Sequence, residues 1–132
     1  MSGAYTELRA WKLGVDLVLE VYRATQNFPK AELYGLTNQI RRAAVSVPSN
    51  IAEGKGRFSD REFALFLRHA RGSLLEVETQ LLIAGRLGYL TTAETDSFAV
   101  QTEQLAKTLN ALLNVVTGKK EGKPEKTHAQ IA

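Results

Sequence analysis

At 132 residues, 44% of them hydrophobic and 23% charged, the chain has the make-up of one folded domain rather than of a disordered or fibrous segment. It holds no cysteine, which excludes disulfides and thiolate chemistry, and its apolar runs are too short to cross a bilayer. A net charge of +3 and a sequence pI of about 9.3 favour acidic partners, phosphates among them. The opening Met1-Ser2-Gly3-Ala4-Tyr5-Thr6 lacks the cationic start and apolar core of a secretory signal, so the cytoplasm is the expected location.

The first predicted helix runs from about Glu7 to Gln26. Leu8, Trp11, Val15, Val18 and Tyr22 recur at alternating steps of three and four and read as the face turned to a bundle. Leu13, Leu17, Val21 and Ala24 form a second stripe on another side, expected to be covered by another subunit or by deep burial within the same chain. Asn27-Phe28-Pro29-Lys30 breaks the helix, and a second begins near Ala31 with Leu33, Leu36, Ile40, Ala44, Val47 and Ile51 inward. It meets Pro48, which lacks a backbone donor and crowds the carbonyl of Ala44, so a kink or a restart is expected there.

The loop Gly54-Lys55-Gly56-Arg57-Phe58 leads to a third helix, Asp60 to Leu87. Ser59 and Glu62 have the spacing of a capping box, and Phe58 and Phe63 that of a hydrophobic staple. Phe63, Leu67, Ala70, Leu74, Val77, Leu81, Ala84 and Gly88 hold one stripe, and Gly72 in mid-helix is read as a point of close backbone approach. A fourth helix, Thr92 to Thr117, follows a second capping box at Thr91 and Glu94, with Phe98, Leu105, Leu109, Leu112 and Val116 inward and Gly118 as its stop. Residues 1–118 thus form the bundle domain and 119–132 a basic, disordered tail. Four helices with short connections make an all-α, up-down-up-down antiparallel four-helix bundle.

Seven cations (Arg41, Arg42, Lys55, Arg57, Arg61, Arg68, Arg71) and three anions (Glu53, Asp60, Glu62) lie between Arg41 and Arg71, a net of +4. Such a concentration serves phosphate contacts or is simply a solvated face. Arg41, Arg42, Lys55, Arg57, Arg61 and Arg68 are the candidate nucleic-acid-binding residues. Catalysis has no comparable signal. His69 and His128 are far apart, no Glu-x-x-His pair exists for a di-iron site, and Glu76 and Glu78 diverge on a helix. Gly54-Lys55-Gly56-Arg57 lacks the Gly-Lys-Ser/Thr ending and the preceding strand of a nucleotide loop. No enzyme activity, metal or cofactor is expected.

One stretch is distinctive: Arg-Arg-x-x-x-Ser-x-Pro-x-Asn-Ile-Ala-Glu-Gly from Arg41 to Gly54. With Phe28-Pro29, Glu32-Leu33-Tyr34-Gly35-Leu36 and Gly72-Ser73-Leu74-Leu75-Glu76, it resembles the bacterial four-helix-bundle proteins encoded by intervening sequences within 23S ribosomal RNA genes. The likeness runs from about Leu8 to Leu90. It implies the bundle fold, a homopentameric ring, and kinship with accessory proteins of diversity-generating retroelements, which bind nucleic acid and a reverse transcriptase. The combined expectation is a bacterial, non-enzymatic, oligomeric protein that binds RNA or DNA through phosphates. The alternative is a scaffold or accessory subunit that recruits a partner protein such as a reverse transcriptase.

Overall fold

The computed structural model describes residues 4–119; the expected tail, from residue 120 onward, lies outside them. The described residues form four helices, α1 (Arg9–Thr25), α2 (Leu36–Lys55), α3 (Asp60–Arg86) and α4 (Thr92–Thr117), with short 3-10 turns at Tyr5–Glu7 and Lys30–Glu32 and no strand. No described helix is long and apolar enough to cross a membrane. Each helix packs on the next and α4 closes back on α1. Gly14 of α1 lies beside Pro48 of α2, and Thr25 beside Arg41. Gly54 meets Phe63 and Phe66, while Ser46 meets Ser73. Gly85 meets Thr95, and the start of α1 at Leu8 and Arg9 shares a depression with Leu112 and Val115 near the end of α4. In these pairings, later residues of one helix meet earlier residues of its neighbour.

The helix ends follow local chemistry. Ser59 Oγ accepts from the Glu62 amide at 3.1 Å to start α3. Thr91 and Glu94 form the reciprocal box that starts α4, with bonds of 2.9 and 3.0 Å. Gly88 and Gly118 take positive φ at the ends of α3 and α4, where the Tyr89 and Lys119 amides reach back to the carbonyls of Ala84 and Asn114.

Helix α2 begins later than the sequence suggests. A 3-10 turn intervenes, and the Glu32 carboxylate caps α2 from four residues upstream, Oε1 accepting from the Leu36 amide at 3.3 Å. Its other oxygen accepts from the Tyr89 hydroxyl at 2.9 Å, and the Tyr89 ring sits 5.4 Å from that of Phe28. The hydrogen bond to Glu32 pushes the Tyr89 phenol above its ordinary pKa, with desolvation and the carboxylate's charge adding to it. Because Leu33 falls in the turn region before the helix, it stays exposed rather than joining the core. Past that point α2 runs through Pro48 without a restart, and the buried Pro48 ring packs on Gly14, where an added Cβ would lie 3.3 Å from it.

Two further expectations are corrected. In α1 the roles of the stripes are reversed: Leu17 and Val21 are 0% exposed and Ala24 is buried, whereas Leu8, Trp11, Val15 and Val18 are half-buried and Tyr22 is exposed. Ala10 and Gly14 on the buried side let α1 sit close to its neighbours, which decides which stripe turns inward. Gly72 has no partner backbone. It is exposed, and an added Cβ there meets nothing within 4 Å, so its helix-propensity cost of about 1 kcal/mol is not offset by packing within the chain.

Candidate nucleic-acid interface

The α2–α3 connection is built from a close helix crossing. At Gly54 a Cβ would come within 2.7 Å of Phe66 Cβ and 3.0 Å of Phe63 Cδ1, so only glycine lets α2 end against α3 here. The two phenylalanine rings then carry the loop's cations. Lys55 Nζ lies 5.8 Å from the Phe63 ring centre, and the Arg57 guanidinium lies 4.8 Å from that of Phe66. Arg57 also pairs with the exposed Glu53 carboxylate at 2.9 Å. The loop backbone is closed by the Gly56 amide on the Ala52 and Glu53 carbonyls and the Arg57 amide on that of Gly54.

Phe58 does not pack as a staple. Phe63, its expected partner, is buried against Gly54 beneath Lys55, and Phe58 projects fully exposed from the loop. This aromatic ring wholly in water stands in a stretch where Lys55, Arg57 and Arg61 alternate with Glu53, Asp60 and Glu62, and its face is open to a planar partner. Sequence reasoning set this residue aside because the staple spacing was present; no local signal shows that the slot beside Phe63 is taken.

The six candidate cations do not form one cluster. Lys55, Arg57 and Arg61 share the loop and the first turn of α3. Arg68 is exposed two turns further along the same outer face of α3, roughly 10 Å away by helical rise. Arg42 is exposed on the outer side of α2, roughly 20 Å from Lys55 along that helix. Arg42, Arg61 and Arg68 make no ion pair among the described residues. Arg41 departs from the set. It is half-buried toward α1, its Nε donates to Thr25 Oγ1 at 2.8 Å, and its guanidinium lies 4.6 Å from the centre of the Tyr22 ring. That is a clasp between α1 and α2.

The topology adds two cations that the sequence separates from the rest. Because Gly14 is level with Pro48, the beginning of α1 lies at the same end of the bundle as the α2–α3 loop, bringing exposed Arg9 and Lys12 to that end. His69 is exposed and edge-on to Phe66 at 5.6 Å, and among the described residues no cluster of three or more His, Cys, Asp or Glu residues could hold a metal.

The result is a small, basic four-helix bundle whose α2–α3 end carries Arg9, Lys12, Lys55, Arg57 and Arg61 beside the exposed Phe58 ring, with Glu53, Asp60 and Glu62 interspersed; a second exposed ring, Tyr34, lies just before α2. The family model for the 23S rRNA-intervening sequence protein matches residues 6–111, and the chain belongs to that family. A comparison with curated proteins finds no match.

Proposed function

We propose that this protein is a non-enzymatic nucleic-acid-binding protein of the bacterial cytoplasm, which holds RNA or DNA phosphates at the end of the bundle where α2 meets α3. The observation that carries this reading is fully exposed Phe58 set among Lys55, Arg57 and Arg61. Phosphate contacts supply affinity irrespective of sequence, and an exposed ring adds stacking on an unpaired base. Arg9, Lys12 and Arg68 extend the field around that end, and Arg42 adds a cation roughly 20 Å away along α2. Arg41 acts through α1 and α2, not through the ligand. Assembly into a homopentamer belongs to the same proposal, because repetition around a ring multiplies the field and adds avidity.

The test is a titration of a labelled single-stranded RNA and its DNA counterpart across salt. Lys55→Ala, Arg57→Ala and Arg61→Ala combined should weaken both, and flatten the log-log salt slope by about one per lost contact. Phe58→Ala should weaken single strands more than duplex, by about 1–3 kcal/mol. Arg41→Ala should lower thermal stability and keep the slope. Unchanged affinity and slope in the triple variant would overturn the proposal and leave the protein-scaffold reading in its place.

A further inference from the structure

A second surface lies along the junction of α3 and α4, and its chemistry is the opposite of the cationic end. A groove of about 420 Å³ opens there, with Leu81, Leu82, Phe98, Ala99 and Ala106 among its lining. Its hydroxyl groups are already occupied: Thr102 donates to the Phe98 carbonyl at 2.9 Å and Thr95 to that of Thr91 at 3.0 Å. The charged groups lining it are two carboxylates, Glu78 on the α3 wall and Glu103 on the α4 wall, and no cation lines it. Glu103 reaches Lys107 at 3.2 Å in an exposed pair of the kind that contributes little and exchanges readily.

We propose that this groove docks a cationic amphipathic helix of a partner protein. An apolar floor without free polar groups selects an apolar stripe. A carboxylate on each wall selects cations on both flanks of that stripe, so charge complementarity identifies the occupant. The dimensions agree: Thr95 to Ala106 spans roughly 16 Å of α4, three turns of a helix. A helix laid between two packed helices seats its i, i+3, i+4 and i+7 side chains as ridges in the groove. This site is separate from the nucleic-acid surface and stands without it.

The probe is a fluorescently labelled 16-residue helix with leucines at i, i+3, i+4 and i+7 and lysines on both flanks. Its anisotropy is followed against the full chain at physiological salt. Saturable binding is expected, lost at least tenfold in Ala99→Trp, which fills the groove from an exposed position and leaves the core alone. Glu78→Gln with Glu103→Gln should weaken it about threefold to tenfold, in line with two charge contacts, one half-buried and one exposed. A scrambled peptide of the same composition should not bind, whereas the Lys55, Arg57 and Arg61 triple variant should bind normally. Equal binding by Ala99→Trp or by the scrambled peptide overturns the proposal, as does failure of the wild type to bind. In that last case, a smaller particle in light scattering for Ala99→Trp would assign the groove to a second copy of this chain.

Discussion

Leu17→Glu should leave the chain without a folded state. Leu17 is wholly buried in the core, so the substitution removes an apolar side chain from the packing and puts a carboxylate where no described cation waits for it. Loss of the leucine alone costs about 2–5 kcal/mol, and an unpaired buried charge adds several more. Against a domain stability of about 5–15 kcal/mol the sum is decisive. Circular dichroism should show lost helix at ordinary temperature. Leu19→Glu, two positions on and half exposed, should melt close to the wild type. A folded Leu17→Glu protein would contradict the burial of this side chain in the core.

Gly54→Val should cost about 3 kcal/mol or more, the upper end of what overpacking does to a tight crossing. The obstacle is Phe66 Cβ, fixed to the α3 backbone and unable to step aside as a side-chain tip would. The helices must part, taking with them the Phe63 and Phe66 rings on which Lys55 and Arg57 rest. Chemical denaturation should therefore show a large loss for Gly54→Val and little for Gly56→Ala, where a Cβ would meet only carbonyl oxygens at 3.5 and 3.7 Å. Equal effects at the two glycines would contradict the crossing described here.

The helices, both start signals and the α3 stripe were legible because they rest on spacing within one segment. Thr91 with Glu94 forms the full box that the spacing indicated, Ser59 with Glu62 only the half in which Ser59 caps the Glu62 amide, and Phe63 through Ala84 are buried at the expected intervals. What spacing could not decide was the partner of each face. Both stripes of α1 are apolar, and the choice between them turns on Gly14 admitting the Pro48 ring, a contact between residues 34 positions apart. Phe58 had the staple position, but Lys55 and Gly54 had already claimed the ring it needed. The candidate cations were legible as a charge count, not as a surface. Arg41 turned inward because Thr25 and Tyr22 lie across from it, while Arg9 and Lys12 came to the loop end only through the antiparallel path of the chain.

The Glu32–Tyr89 bond makes the two ends of the bundle mechanically unlike. It ties the α1–α2 connection to the α3–α4 connection across 57 residues, with the Phe28 ring tilted against that of Tyr89. Opening either connection breaks that bond, so the two are coupled. At the opposite end the α2–α3 loop is held by short-range bonds within Ala52–Glu62. Local opening free energies follow such differences. Amide exchange should therefore be slow and concerted around Glu32 to Leu36 and Tyr89, and faster and independent from Gly56 to Phe58. Tyr89→Phe should uncouple the first two segments without changing the third. The molecule is clamped at the end away from Phe58, and held by short-range contacts alone where Lys55, Arg57 and Phe58 meet the solvent.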